Sequence, residues 1–266
     1  MPFIFWALKP VVRHMEWLFV SLASLLAGFV DAIVGGGGLI LVPALFAAFP
    51  GEAPATLLGC NKGASIWGTA LATRQYSRRV AMRWPVLLPA AIAGFAASLA
   101  GAWTITQISP DFLRKALPGV LLVVLAYTLA KKDLGTRHAP SYAGATERLA
   151  ACGVSVVIGF YDGFFGPGTG SFLVFLFVRV LGYDFLHASA AAKFINTATN
   201  LAAVLLFGLK GHIWWHLAVT MAVANLAGSY AGSHLALKHG AGFVRLVFIG
   251  VVGVLILKTG ANAFWH

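Results

Sequence analysis

The sequence predicts an all-α, polytopic integral membrane protein made of two homologous repeats, and three observations carry that prediction. Hydrophobic residues make up 59% of the 266-residue chain and charged residues 10%, against about 25% charged in a soluble domain; the charges are too few to cover a water-facing surface. The apolar residues fall in runs close to the roughly 20 residues that a bilayer-spanning helix needs. The same pattern is also written twice, without a gap, at a constant offset of 131 positions. Gly28, Phe29, Asp31, Gly35, Gly37, Lys62, Trp84, Gly101, Phe112, Arg114 and Gly119 recur as Gly159, Phe160, Asp162, Gly166, Gly168, Lys193, Trp215, Gly232, Phe243, Arg245 and Gly250. In so apolar a chain Ala and Leu match by chance, but paired Asp, Lys, Trp and Arg do not. The duplication divides the chain into a first transmembrane repeat, residues 1–135, and a second, residues 136–266, and many transporters build a site between such halves.

Taken in order, the chain starts with a short apolar run, Phe3 to Leu8, broken by Lys9 and Pro10. It has no basic leading segment and no small-residue cleavage site, which argues against a signal peptide. The runs of the first half are Glu16 to Phe49, interrupted at Gly35 to Gly38; Ala55 to Tyr76; Pro85 to Thr106; and Phe112 to Ala130. Those of the second half are Arg148 to Leu181, interrupted at Gly166 to Gly170; Phe185 to Leu209; Ile213 to Leu237; and Gly242 to Gly260. As one helix Glu16 to Phe49 would reach about 50 Å, well beyond the roughly 30 Å hydrocarbon core. It must break, and four successive glycines allow a sharp reversal.

Each repeat is therefore expected to hold a glycine-broken helical hairpin plus three transmembrane helices. If the broken element turns back, the second repeat is inverted relative to the first; if it crosses, the repeats are parallel. The bias of Lys and Arg between loops is nearly the same for both. The inverted arrangement is the expectation, because inverted repeats with discontinuous helices recur in secondary transporters.

The net charge of +11 does not mark a nucleic-acid binder. Arg74, Arg78, Arg79 and Arg83 fill one gap between runs, and Lys131, Lys132, Arg137 and Arg148 another, the pattern of cytoplasmic loops. No face interleaves basic and aromatic residues as a nucleic-acid stripe would. Cys60 and Cys152 both sit in apolar stretches, so no disulfide framework is expected. There is no zinc spacing, nucleophile elbow or pair of catalytic carboxylates, and no metal, cofactor or catalytic residue is expected.

The first motif is Gly28-Phe29-Val30-Asp31 followed by Gly35 to Gly38, echoed by Gly159-Phe160-Tyr161-Asp162-Gly163 and Gly166-Pro167-Gly168-Thr169-Gly170-Ser171. The second copy has the glycine spacing of a nucleotide loop, but no strand precedes it and no Lys-Ser or Lys-Thr closes it. Non-helical backbone inside a bilayer lines a cavity or is buried in protein. A helix restarting there aims free N–H groups and its positive dipole end into that space, which suits a small anion. The plainer alternative is close helix packing. Asp31 and Asp162 lie deep within apolar runs, where an ionisable residue is a functional candidate by default; each could carry a coupling proton or cap the N–H groups of its turn.

Lys62 and Lys193 are the third matched pair, each well inside its run. At helical spacing Ser65 and Thr69 share a face with Lys62, and Asn196 and Asn200 with Lys193. A cation with hydroxyl and amide donors from each half suits an oxyanion with several acceptor oxygens. Alternatively Lys62 neutralises Asp31, and Lys193 neutralises Asp162, as buried charges are usually paired. Trp84 and Trp215 are expected to mark a membrane interface, Arg114 and Arg245 to snorkel, and His187 to be incidental. Cys60, two residues before Lys62, is a further candidate to face the site, though a lone thiol more often serves packing.

At these motifs the chain resembles the TauE/SafE family, the sulfite exporters and toluene sulfonate uptake permeases. The first glycine motif, Asn61-Lys62, Gly68-Thr69 and the basic loop after Tyr76 resemble that family's first half; Gly159 to Gly163, Gly166 to Gly170 and Lys193 to Asn200 resemble its second. The likeness covers about residues 20 to 260. It implies transport of small sulfur-containing anions across a bacterial inner membrane, driven by an ion gradient. The second glycine motif departs from the first at Pro167, which removes an N–H donor, so the half-sites are not expected to contribute equally.

The expected substrate site thus combines Lys62, Lys193, Asn61, Ser65, Thr69, Asn196, Thr197 and Asn200 with the backbone of Gly36, Gly37, Gly38, Gly168, Thr169 and Gly170. Asp31 and Asp162 couple or cap, and a proton is one coupling ion they could carry. Rocking of the halves would expose the site alternately. The rivals are an anion channel, which holds ions more weakly, and a membrane-embedded enzyme, for which no acid/base pair or metal set is at hand. Exact substrate, direction, coupling ion, parallel or inverted arrangement of the repeats, and oligomeric state stay open.

Overall fold

The computed structural model describes residues 3–108 and 139–264. The apolar run Phe112 to Ala130, with Arg114, lies outside the described residues, as does the side chain of Arg245. Within them the chain is helical, without a strand: α1 Phe3–Val34, α2 Gly38–Ala48, α3 Pro54–Ser77, α4 Trp84–Ile105, α5 Gly144–Phe164, α6 Thr169–Leu181, α7 Phe185–Leu209 and α8 Trp215–Phe264, the last interrupted at Gly240. Three spans, Met15–Val34, Trp84–Ile105 and Phe185–Leu209, are long and apolar enough to cross a membrane by length and composition.

Local chemistry sets the boundaries. α1 ends where Gly35 takes φ 83°, and α6 is bracketed by Gly168 (φ 83°) and Gly182 (φ 74°). These left-handed conformations are open to glycine and strained for other residues. α3 and α4 each start with a proline in the first turn, where its missing N–H costs nothing. α7 is capped by the Asp184 carboxylate, which accepts from the His187 N–H at 2.7 Å. α1 runs through Lys9 and Pro10, since proline's fixed φ is compatible with a helix at the loss of one hydrogen bond.

Both glycine-broken elements are hairpins. α2, of 11 residues and about 16 Å, is too short to cross, and it lies back along α1, with Leu41, Ala44 and Leu45 packed on Val20, Ala23 and Ala27. α6, of 13 residues, lies back along α5, where Leu173, Val174 and Phe177 share a core with Ala151 and Ile158. At the open end of that second hairpin the Tyr183 hydroxyl donates to Glu147 Oε1 at 2.7 Å, and Arg83 pairs with Oε2 at 2.9 Å.

The remaining helices interleave the two halves of the sequence. α4, from the first half, packs on α5 and α7 of the second; α8, from the second, packs on α1 and α3 of the first. The contacts repeat at the sequence offset. Ser98 Oγ donates to the Thr199 carbonyl at 2.8 Å, and Ser229 Oγ donates to the Gly68 carbonyl at 2.6 Å. A Cβ at Gly101 would strike the Phe160 carbonyl, and one at Gly232 the Phe29 carbonyl, so glycine lets these backbones touch, as small residues do in membrane bundles. Meanwhile Leu18, Leu22 and Leu26 on α1, and Leu88 and Ile92 on α4, remain exposed, the outward apolar face that lipid would cover. Trp84 and Trp215, at the starts of α4 and α8, are 41% and 54% exposed.

Candidate substrate site

The two glycine breaks touch. The Ser171 N–H donates to the Gly35 carbonyl at 2.9 Å and Ser171 Oγ to the Val34 carbonyl at 3.1 Å. Gly35 and Gly170 approach so closely that a Cβ on either would lie inside the other's backbone. Side chains from both halves brace the tips: Tyr76 donates to the Ala32 carbonyl at 3.0 Å, Ser189 to the Ile33 carbonyl at 3.3 Å, and Tyr161 to the Pro167 carbonyl at 2.6 Å. Non-helical backbone is thus sheltered by protein, as the bilayer interior requires.

The four matched charges flank this junction, paired across the halves. Lys62 Nζ on α3 lies 2.5 Å from Asp162 Oδ1 on α5, and Lys193 Nζ on α7 lies 4.0 Å from Asp31 Oδ2 on α1. The expected alternative, each lysine with the aspartate of its own half, is not the arrangement found. Folding back the hairpin carries each aspartate to the junction, where the second helix of the other repeat meets it. The pairs also differ. Lys62 and Asp162 are in hydrogen-bond contact and 2% and 1% exposed; Lys193 is wholly buried, and its Nζ has no hydrogen-bond partner among the described residues. Asp31 divides its attention, because its Oδ1 accepts from the Gly37 N–H at 3.3 Å. It therefore caps the turn and faces a lysine at once.

The other sequence candidates are distributed unevenly. Thr69 and Asn200, repeat equivalents, meet each other, with Asn200 Nδ2 3.5 Å from Thr69 Oγ1. The Thr69 hydroxyl donates to the Ser65 and Ile66 carbonyls of its own helix, at 3.1 and 3.0 Å. Thr197 Oγ1 contacts the Lys193 carbonyl at 2.8 Å and Thr73 Oγ1 at 3.0 Å. Asn196 Oδ1 receives a long contact from Thr199 at 3.4 Å, while Asn61 Oδ1, beside Lys62 in sequence, is buried with no partner among the described residues. Gly36 is buried and Gly38 half-buried against Pro167; Gly168 and Gly170 are buried, and Thr169 Oγ1 closes its own turn on the Gly166 carbonyl at 2.7 Å. Cys60 is turned elsewhere: its Sγ accepts from the Trp214 N–H at 3.3 Å, within an apolar cluster.

Sequence reasoning passed over Glu147, wholly buried at the start of α5 between Tyr183 and Arg83. Burial, and then the hydrogen bond to Glu147, push the Tyr183 hydroxyl above its ordinary pKa. An acid in the first turn of an apolar helix was the available signal, masked by its ordinary role near a helix N-terminus. Asn225 was also missed; it is buried and donates to the Ser24 carbonyl at 3.0 Å. Among the described residues no group of three or more His, Cys, Asp or Glu could hold a metal ion.

Comparison with known proteins converges on one family. A family model described as sulfite exporter TauE/SafE matches residues 20–259. A probable membrane transporter protein, ORF9, of Sinorhizobium sp is 33% identical over 244 residues, 92% of each chain. The probable membrane transporter protein YfcA of Escherichia coli K12 is 36% identical over 237 residues, 88% of this chain and 86% of its own. A probable membrane transporter protein of Haemophilus influenzae is 35% identical over 239 residues, 90% of this chain and 92% of its own. No solved structure matches the chain significantly.

Proposed function

The chain belongs to the TauE/SafE sulfite exporter family, and from that premise we propose that this multi-pass inner-membrane protein is a secondary transporter of small sulfur-containing anions: sulfite, sulfonates or related organosulfur anions. The substrate site lies at the junction of the two hairpin tips near the bilayer midplane. The observation that carries the reading is the pair of crossed lysine–aspartate contacts flanking that junction. Inside a bilayer such charges are expensive, and a merely structural role would be served as well by apolar side chains.

The repeats are inverted in this proposal. In support, α3 and α7 are repeat equivalents, yet they run antiparallel, with Thr69 near Asn200 and Thr73 near Thr197. Equivalent helices related by an axis along the membrane normal would run parallel. Discontinuous helices meeting at the interface of inverted repeats are the setting in which rocking of one repeat against the other exposes a fixed site to each side in turn. The direct tip contact through Ser171 and Gly35 is the closed point that rocking would open.

Charge counting supports a coupling ion. Two lysines and two aspartates cancel, so a monoanion entering the junction leaves it net negative in a low-dielectric setting, a costly state unless a cation accompanies it. A proton on Asp31 or Asp162 answers that need. The test is uptake of a panel of sulfite, methanesulfonate and 4-toluenesulfonate into proteoliposomes carrying the purified protein, under imposed pH gradients. Accumulation above the external concentration, abolished by a protonophore, is expected. Movement only down the anion's own gradient would make the protein a channel, and no movement of any of the three would remove the sulfur-anion reading.

A further inference from the structure

Resting on that reading, we infer that the two crossed ion pairs have different jobs: Lys62 with Asp162 is a closed latch between the halves, and Lys193 is the ammonium offered to the substrate's anionic group. The duplicated sequence gives no reason for this division, since the four residues match at the same offset. The difference is geometric. Lys62 Nζ has its acceptor at 2.5 Å and packs against Gly166, where a Cβ would come within 2.9 Å of Nζ. That ammonium has a carboxylate partner and little room to move.

Lys193 is in the opposite condition. It is wholly buried, its three N–H donors reach no acceptor among the described residues, and the nearest carboxylate oxygen is 4.0 Å away. Buried ammonium groups are costly when unpaired, so this one lacks an acceptor that a bound oxyanion would supply. The cause lies in the neighbouring turn. Asp31 Oδ1 is held by the Gly37 N–H, which keeps the carboxylate from swinging fully onto Lys193. Asp162 carries no such tie, its Oδ2 having no hydrogen-bond partner among the described residues, and it closes on Lys62. An oxygen of a sulfonate or sulfite group would give the Lys193 ammonium the acceptor it lacks, a point-charge contact that suits a small oxyanion.

The experiment compares purified wild type, Lys193→Met, Lys62→Met and the double variant Lys62→Met with Asp162→Leu in detergent. Thermal midpoints are read with and without methanesulfonate or sulfite. Lys193→Met is expected to keep or raise the anion-free midpoint and to lose the anion-induced rise, with at least a tenfold weaker half-saturating concentration. Lys62→Met is expected to lower the anion-free midpoint, because it strands the Asp162 carboxylate, and the double variant to recover it. Equal falls in midpoint for the two single lysine variants, or an anion response surviving in Lys193→Met, would overturn the division while leaving the transport reading standing. A wild type protected by neither anion would overturn the ligand assigned to Lys193 together with the sulfur-anion reading, and the midpoint comparison would still decide the latch.

Discussion

Gly35 turns with φ 83°, and a Cβ there would fall on the backbone of Gly170, so the position is constrained by conformation and by contact at once. Gly35→Ala should therefore cost about 2–6 kcal/mol, the sum of a left-handed alanine and an overpacked contact. Gly51, exposed in the loop after α2 with nothing within 4 Å of a built Cβ, is the control, and Gly51→Ala should stay within about 0.5 kcal/mol. Thermal unfolding in detergent measures both. If the tips must separate during transport, Gly35→Ala should also change uptake more than its stability loss explains, because it wedges the closed point open. Equal midpoints for the two variants would mean that the tips are looser than their contact implies.

The helices pair through buried serines, and the duplication makes its own controls. Ser98 and Ser229 donate to carbonyls of equivalent residues, Thr199 and Gly68, so Ser98→Ala and Ser229→Ala should destabilise equally, by about 0.6 kcal/mol each. Ser24 and Ser155 are also equivalents, but Ser24 Oγ donates to the Met221 carbonyl at 2.8 Å while Ser155 Oγ has no partner among the described residues. Ser24→Ala should cost as much as the first pair and Ser155→Ala nothing; a measured cost at Ser155 would place an acceptor there. These contacts mark the limit of what the sequence discloses. Phe185–Leu209 is legible to the residue, because Asp184 and Lys210 bracket it, and the breaks at Gly35 and Gly166 are legible because glycine there has few other uses. Which aspartate meets Lys62 is not, since a perfect duplication makes Asp31 and Asp162 equivalent on paper and three-dimensional exchange decides between them. Cys60, by contrast, could have been set aside from the sequence, since two positions along a helix turn a side chain onto another face from Lys62.

The whole molecule sorts its loops to two ends. Phe49 stacks edge-on with Trp214 at 5.6 Å, and Lys210 Nζ reaches Thr106 Oγ1 at 2.7 Å, which gathers the ends of α2, α4 and α7 and the start of α8. The opposite end holds Arg83, Glu147 and Tyr183, together with the basic loop that the charge bias assigns to the cytoplasm. Arg79 and Lys210 are repeat equivalents by the sequence offset, yet they stand at opposite ends, as the proposed inverted repeats would place them. Impermeant thiol labelling tests this in a Cys60→Ala, Cys152→Ala background, with single cysteines at four exposed positions. Gly51→Cys and Lys210→Cys should react with reagent added outside intact cells, once the outer membrane is permeabilised. Ala81→Cys and Ser141→Cys should react only after the inner membrane is opened. Labelling of Lys210→Cys from the cytoplasmic side, in step with Ala81→Cys, would make the repeats parallel, and rocking about an inverted interface would then have no basis.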